Sequence, residues 1–180
     1  MKSSTMAYLC WELAMAFWLA VTIAAAAGIR INHTPSLPIG IWRIEPLRGT
    51  PGPGQIVSFC PPDTPVMREA RERGYIGKGR CPGGYQPMLK PVAAIGGDTV
   101  SVAAHGITVN GDLITNSARL ALGTHANLCL PEGTYQVETG QVWLLSSHHP
   151  RSFDSRYFGP VPIQVMIGRA KPWVTTDIFR

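Results

Sequence analysis

The longest apolar run in the chain covers residues 7–27, where AYLCWELAMAFWLAVTIAAAA contains one formal charge, Glu12. An α-helix rises about 1.5 Å per residue, so about 20 such residues cross a bilayer core of about 30 Å. A cleaved signal peptide has a shorter apolar stretch of about 7–15 residues. We therefore expect residues 1–28 to form a retained transmembrane helix. A cleaved signal peptide is the alternative, because residues 24–28 are small.

Beyond residue 28 the pattern changes to short β-like segments separated by Gly and Pro, with no repeat and no long linker. Short apolar or alternating runs bounded by turn residues are typical of strands. The pattern therefore predicts a mainly β fold, with one domain over residues 29–180. The predicted strands cover residues 55–59, 87–95, 99–103, 107–109, 134–137, 141–146 and 165–170.

Two local signals add a turn and a helix to these strands. Asn110-Gly111 lies between ITV and DLIT and predicts a two-residue hairpin turn, because both residues tolerate positive φ. Thr64 as N-cap, Pro65 at the first helical position and Gly74 as terminator predict a short helix around MREARER. We expect this helix to be an insertion between strands.

Composition excludes several classes of protein. The 180 residues suffice for one domain with a sizeable core, and the hydrophobic share of 45% excludes disorder throughout. Charged residues make up 15%, against about 25% in typical globular chains. Together with 19 Gly and 16 Pro, this excludes a coiled coil or a long-helix bundle.

The net charge of +5 suits an anionic membrane surface as readily as nucleic acid. We interpret residues 68–80 as a solvated helix face and a basic loop, since glutamates dilute their charge, and we expect no nucleic-acid partner. Arg30, Arg43 and Arg48 outweigh Lys2 on the other side of the apolar run. By the positive-inside rule this excess disfavours export of the domain, and no sequence feature explains it.

Four cysteines are present, without a Cys-x-x-Cys pair or two histidines separated by three to five residues, so we expect no metal site. Cys60 and Cys81 bracket the predicted helix. In an oxidising compartment they could form a disulfide that stabilises the insertion by about 3 kcal/mol. Cys129 would then stay reduced, or would itself be the partner of one of them.

The segment His33-Thr34-Pro35-Ser36-Leu37-Pro38-Ile39-Gly40 holds the candidate nucleophile. Its two prolines fix their own φ and favour extended conformations at the residues before them, so Ser36 is presented on a stiff backbone. A serine hydroxyl needs an adjacent base to become a nucleophile at neutral pH. Without one, a Pro-flanked serine is an ordinary loop residue.

Lys90 is the candidate base, inside the apolar run PMLKPVAAIGGDTVSV. Burial disfavours the ammonium form, and a shift of about 3 units from about 10.4 would leave the amine neutral near neutral pH. The alternative is a lysine at a strand edge with its head group in water.

Three segments resemble the signal peptidase I superfamily, peptidase family S26. PSLPIG resembles its serine box, LKPVAAIGGDTV its lysine box and SFDSRYFGPVP its C-terminal box, in the right order behind an apolar N-terminal run. The Ser-Leu-Pro variant and the SFDSRYFGP ending are most similar to the TraF-type peptidases of conjugative transfer. The resemblance implies a signal peptidase I-like catalytic β domain.

The resemblance also implies roles for individual residues. Ser36 would attack the scissile carbonyl, Lys90 would be the general base, and the Ser36 N–H with the Thr34 hydroxyl would form the oxyanion hole. The structural alternative for Thr34 is a cap of the turn before Pro35.

Three supporting residues come from the C-terminal box. The resemblance implies that Ser152 orients the Lys90 amine and that Asp154 and Arg156 brace the loop. The alternatives are an ordinary loop hydroxyl for Ser152 and an exposed ion pair worth under about 1 kcal/mol for the two charged residues.

The implied function is that of a single-pass serine endopeptidase of the cytoplasmic membrane, with its catalytic domain in the periplasm and no cofactor or metal. Its expected partners are the lipid bilayer, a membrane-inserted exported precursor such as conjugative pilin, and components of a conjugation apparatus. Cyclisation of the cleaved precursor is an extension that no residue here decides. The alternatives are a general leader peptidase and a non-enzymatic membrane-tethered scaffold of a conjugation or secretion apparatus. A triad of Ser36 and Asp154 with His148 or His149 is a further alternative.

Overall fold

The computed structural model describes residues 2–118 and 130–176. Helix α1 (Lys2–Ala26) contains a segment, Met6–Ala26, that is long and apolar enough to cross a membrane. None of that segment is buried within the protein. The helix is therefore compatible with a single-pass membrane anchor.

The chain after α1 is mainly β, as the sequence pattern predicts, and two short α-helices, α2 (Pro65–Glu72) and α3 (Ser155–Phe158), interrupt the described strands. The strands in chain order are β1 (Ile29–Asn32), β2 (Ile39–Glu45), β3 (Ile56–Phe59), β4 (Met88–Ile95), β5 (Thr99–Ala103), β6 (Gly106–Val109), β7 (Asp112–Leu113), β8 (Gly133–Gln136), β9 (Gln141–Leu144), β10 (Val161–Pro162) and β11 (Met166–Thr176). Short 3-10 turns cover Pro82–Gly84 and Ile163–Val165.

These strands form two sheets. The larger has seven strands in the order β1-β2-β11-β3-β4-β9-β10, and every pairing in it is antiparallel. The smaller has four strands in the order β7-β6-β5-β8. Asn110 and Gly111 have φ of 52° and 93° and connect β6 to β7, which confirms the predicted hairpin. The strand order places the last long strand, β11, between β2 and β3.

All seven predicted strands are present, with some differences at their ends. The strand predicted at 165–170 continues to residue 176, although Pro172 cannot donate to the ladder, because the register shifts between Pro172 and Val174. The seven predicted ranges do not include β1, β2, β7 or β10, although the predicted Asn110-Gly111 hairpin implies β7. Two of these, β1 and β2, flank the Ser36 segment.

The predicted insertion is helix α2, and its N-cap is as expected, since the Thr64 hydroxyl accepts a hydrogen bond from the Met67 N–H at 3.3 Å. A disulfide joins Cys60 to Cys81 across the insertion. The other candidate partner, Cys129, lies outside the described residues. An apolar cluster beneath α2 includes Met67 and also Phe153 from the C-terminal box. The insertion therefore packs against the segment that holds Ser152, Asp154 and Arg156.

Candidate active site

The Ser36 loop lies between β1 and β2 and is organised by the side chain of Asn32. The Asn32 amide nitrogen donates to the carbonyl oxygens of Thr34, Leu37 and Pro38 at 3.0–3.1 Å. Its Oδ1 accepts from the Thr34 N–H at 3.2 Å and from the Thr34 hydroxyl at 2.8 Å. One buried amide therefore fixes the backbone on both sides of Ser36.

Two further contacts anchor this loop. Leu37 is buried in an apolar cluster with Trp42, whose indole nitrogen donates to the Pro38 carbonyl at 3.1 Å. The Ser146 hydroxyl donates to the Ser36 carbonyl oxygen. The candidate nucleophile is thus held on a backbone with little freedom.

The Ser36 hydroxyl lies 3.3 Å from the Thr34 hydroxyl. Since the Oδ1 of Asn32 can only accept, Thr34 gives its hydrogen to Asn32 and is left to accept from Ser36. Thr34 therefore caps the turn through Asn32 and also contacts the candidate nucleophile. It would become a donor toward a developing oxyanion only by turning its hydrogen away from Asn32.

Lys90 lies on the buried face of β4, which it shares with Val92 and Ala94, and its exposed fraction is 3%. Since β4 is flanked by β3 and β9, the alternative of a lysine at a strand edge with its head group in water is wrong. The Lys90 amine donates to the Ser152 hydroxyl at 3.1 Å. Burial lowers the pKa of Lys90 to about 8, with Asp154 opposing the shift and Arg156 adding to it.

Two contacts bring the Ser36 loop to the strand that carries Lys90. Leu145, whose neighbour Ser146 binds the Ser36 carbonyl, donates its N–H to the Pro91 carbonyl at 3.0 Å. Leu89 packs against the apolar cluster that contains Leu37. The Ser36 loop and the strand that carries Lys90 are therefore linked through one shared apolar cluster and through the segment of Leu145 and Ser146. Within the described residues no hydrogen bond joins the side chains of Ser36 and Lys90 directly, and such bonds are often long in enzymes without substrate.

Asp154 and Arg156 form a buried pair, so the expected alternative of an exposed ion pair is wrong. Both have an exposed fraction of 0%, and two guanidinium nitrogens of Arg156 contact the carboxylate at 2.7 and 3.0 Å. The remaining guanidinium hydrogens reach the carbonyls of Asn116, Pro150 and Ser146. A buried pair with its other hydrogen bonds satisfied can offset the desolvation cost.

The same pair positions Ser146. The Asp154 carboxylate accepts from the Ser146 N–H at 3.1 Å, while Arg156 binds the Ser146 carbonyl at 2.9 Å. The Ser146 hydroxyl is thereby aimed at the Ser36 loop. The Asp154 carboxylate is engaged by Arg156 and by the Ser146 N–H, which disfavours the alternative of a triad in which Asp154 orients His148 or His149.

Asn32 and Ser146 were not predicted from the sequence. The spacing of Asn32 and Thr34 is that of an Asx turn, in which the Asn oxygen accepts from the N–H two residues on, and this signal could have identified Asn32. Ser146 has no such local signal, because its partner is 110 residues away in the chain. Across the described residues, no group of three or more His, Cys, Asp or Glu side chains is placed to hold a metal ion.

Comparison with known families decides the assignment. The model of a family described as signal peptidase, peptidase S26, matches residues 3–174. The chain belongs to the S26 signal peptidase family. This confirms the resemblance of its three boxes and implies serine peptidase activity. Members of the family are membrane-bound, consistent with a single-pass anchor in α1.

Individual relatives narrow the assignment. The chain is 40% identical over 163 residues to the conjugal transfer protein TraF of Agrobacterium tumefaciens (strain 15955). The aligned region covers 90% of this chain and 92% of that protein. It is also 40% identical over 157 residues to the plasmid transfer protein TraF of Escherichia coli, covering 84% and 86%. These relatives support a role for the S26 peptidase in conjugation.

Among solved structures, a signal peptidase I from Enterococcus faecalis V583 is similar, with a TM-score of 0.38 and 21% sequence identity. The match covers 68% of this chain and 97% of that one. The family assignment stands on the sequence matches alone.

Proposed function

We propose that the protein is a membrane-anchored serine endopeptidase with Ser36 as nucleophile and Lys90 as general base. One observation carries the proposal: the Lys90 amine is buried, with a pKa of about 8, on a strand whose Leu89 packs against the apolar cluster that contains Leu37 of the Ser36 loop. At that pKa a sizeable fraction of the amine is neutral near neutral pH, and a neutral amine can accept the serine proton.

The proposed reaction proceeds in two steps. The Lys90 amine takes the proton of the Ser36 hydroxyl as Oγ bonds to the scissile carbonyl carbon, and the resulting ammonium gives a proton to the leaving amine. This leaves an acyl-enzyme on Ser36, which water then hydrolyses with Lys90 again as base. Ser152 holds the amine in place in both steps.

The oxyanion that forms in each step requires hydrogen-bond donors. The Ser36 N–H and the Thr34 hydroxyl are the proposed donors, the latter after rotation away from Asn32. Asp154 and Arg156 support the site through Ser146 and do not contact the reacting atoms in this proposal.

The proposed substrate is an exported, membrane-inserted precursor used in conjugation, such as a pilin. The transfer names of the relatives support this class. An extended substrate could add as a strand to β1, which lies at an edge of the larger sheet and ends at Asn32, just before the Ser36 loop. Capture of the acyl-enzyme by the precursor's own amino terminus would yield a cyclic product. Components of a conjugation apparatus are further proposed partners.

We place the catalytic domain in the periplasm, anchored to the cytoplasmic membrane by α1. The Cys60–Cys81 disulfide supports this placement, because disulfides persist in oxidising compartments and are rare in the cytoplasm.

The test uses purified full-length protein in membranes with a candidate pilin precursor, followed by intact-mass analysis. Cleavage should be lost in Ser36→Ala and in Lys90→Ala, retained in His149→Ala, and should decline as the pH falls below about 8, since protonation removes the base. Normal processing by both the serine and the lysine variant would contradict the peptidase proposal and favour a scaffold. Processing of many unrelated exported proteins would instead indicate a general leader peptidase.

A further inference from the structure

A basic cleft of about 440 Å³ lies on the sheet away from the Ser36 loop. We call it the arginine cleft, and it is lined by Arg43, Glu45, Pro46, Arg48 and Arg169. Three arginines face one glutamate, which leaves a formal charge of +2. The sequence does not explain why Arg30, Arg43 and Arg48 follow the apolar run. Two of these three arginines, Arg43 and Arg48, line the arginine cleft.

The arginine cleft is adjacent to the end of α1. The Ile44 N–H donates to the Gly28 carbonyl at 2.8 Å, and Arg43 is the register partner of Ile29 in the β1–β2 pair. Paired strands lie about 4.8 Å apart, so the cleft begins about one strand spacing from the point where the apolar helix stops. With α1 in the hydrocarbon core, this is the level of the lipid headgroups.

The charges in and around the cleft leave its arginines available to a ligand. Glu45 forms a salt bridge with Lys171 at 2.8 Å, and this hydrogen-bonded contact, together with the charges of Arg43 and Arg169, lowers the pKa of the carboxyl, which therefore stays ionised. Within the described residues no side chain or carbonyl accepts a hydrogen bond from the guanidinium groups of Arg43, Arg48 or Arg169. A guanidinium presents a planar fork of donors that matches the oxygens of a phosphate.

Arg30 shows the contrast. Its guanidinium donates to the carbonyls of Ala25 and Ile29 at 2.8 and 2.7 Å, so it satisfies the C-terminal end of α1. Its role is structural, whereas no such role accounts for the arginines of the cleft.

We propose that the arginine cleft binds the phosphate-bearing headgroup of an anionic phospholipid in the membrane that α1 spans. The inference rests on the membrane anchor of the proposed function and not on its peptidase chemistry. Binding at this position would hold the sheet against the lipid surface. It also gives the arginine excess beside α1 a role that does not depend on membrane orientation.

The experiment is native mass spectrometry of the full-length chain in detergent micelles supplied with phosphatidylglycerol, phosphatidylethanolamine or phosphatidylcholine. The test variant is Arg43→Gln with Arg48→Gln. The control is Lys78→Gln with Arg80→Gln, which removes the same charge from exposed residues far from α1 in sequence. Phosphatidylglycerol affinity should fall about tenfold or more in the test variant and stay near wild type in the control. Inorganic phosphate at millimolar concentration forms a separate arm.

Four results would overturn the proposal. They are equal phosphatidylglycerol retention by the wild type and the test variant, an equal loss in both variants, equal retention of all three lipids by the wild type, and displacement of lipid by phosphate alone. No substrate is added, so these outcomes are independent of peptidase activity. Failure of the anchor itself would appear separately, as release of the wild-type chain from membranes by alkaline carbonate.

Discussion

Lys90 lies on the buried face of a central strand, where the charged form of its side chain is poorly solvated. Its pKa in the folded protein is about 8, whereas the ordinary value is 10.5. The unfolded chain therefore binds more protons between these pH values, and stability rises as the pH increases from about 8 to about 10.5. At pH 7 the burial of this one amine costs about 3 kcal/mol. A buried lysine that destabilises the fold is expected to be kept only where a reaction needs its neutral amine, as the proposed base would.

Lys90→Met should therefore stabilise the protein at pH 7 while abolishing cleavage. We expect the free energy of unfolding to rise by about 1–2 kcal/mol, since the unpaired Ser152 hydroxyl takes back about 1 kcal/mol of the gain. The gain should shrink as the pH rises above about 8 and should turn into a small loss, of up to about 1 kcal/mol, near pH 10.5 and above. Urea denaturation at both pH values measures it, with exposed Lys78→Met as the control. A Lys90→Met protein less stable than wild type at pH 7 would contradict the cost assigned to burial.

Asn32 acts on Ser36 by holding the backbone of the Ser36 loop. Its replacement, compared with a control elsewhere, should show whether the cleavage rate depends on the geometry of this loop or only on the stability of the protein. Asn32→Asp loses the donor that serves three carbonyls and places a carboxylate beside them, so we expect a loss of about 2 kcal/mol and at least about a tenfold lower cleavage rate. Asn110→Asp, in the hairpin of the smaller sheet, also loses a side-chain hydrogen bond and is the control. Thermal denaturation and single-turnover rates should show both variants destabilised and only the first slowed. An unchanged rate in Asn32→Asp would remove Asn32 from the site.

At the level of elements, the insertion of α2 is joined to the larger sheet by one covalent link and one apolar cluster. The disulfide closes a segment with a sequence separation of 21, and the cluster beneath α2 includes Phe153, next to Ser152, and Tyr157 of α3. Constraint of the insertion therefore reaches the candidate site through packing.

Replacing both Cys60 and Cys81 by Ala should lower the free energy of unfolding by about 3 kcal/mol, because the unfolded chain gains the entropy of the opened loop. Cys10→Ala, at an exposed position on α1, is the control and should leave stability unchanged. Denaturant titration in detergent micelles compares the two. Equal stability of the double variant and the control would show that packing alone holds the insertion.

Elements with strong local signals could be predicted from the sequence, and elements defined by distant partners could not. The α2 cap and the Asn110-Gly111 turn depend on neighbouring residues, and both are as predicted. The strand β2 has apolar residues on both faces and a glycine, so its period of two is obscured until β1 and β11 are seen to flank it. The order of the larger sheet depends on pairings between strands more than 100 residues apart.

The same limit applies to the candidate site. Ser36 and Lys90 could be named because prolines and an apolar run mark them, and family boxes supported both. The burial of Asp154 and Arg156 could not be predicted, since two opposite charges two residues apart give the same sequence pattern on a surface as in a core. Ser146 could not be predicted either, because it contacts the Ser36 loop only after the sheet has formed.

For the whole molecule, the state of the disulfide depends on whether the domain lies in an oxidising or a reducing compartment. If the domain lies in the periplasm, a thiol-reactive reagent added to intact cells before lysis should leave Cys60 and Cys81 unmodified and linked. Peptide mass analysis before and after reduction measures this. Direct alkylation of both residues without reduction would place the domain in a reducing compartment and contradict the proposed orientation. The sulfhydryl of Cys10 serves as the internal positive control once detergent is added.

Gly28 makes the junction between helix and sheet unusually close. Its φ is +81°, and a Cβ at this position would lie 2.3 Å from the Ile44 carbonyl oxygen, so any other residue would push β2 away. With α1 in a bilayer, as proposed, the two-residue connection between α1 and β1 would keep Ser36 at a nearly constant height above the lipid. An endopeptidase held in this way would not reach proteins in bulk solution, and it would meet membrane-inserted precursors by lateral diffusion within a shared bilayer. Encounter frequency would then follow the surface density of precursor and not its volume concentration.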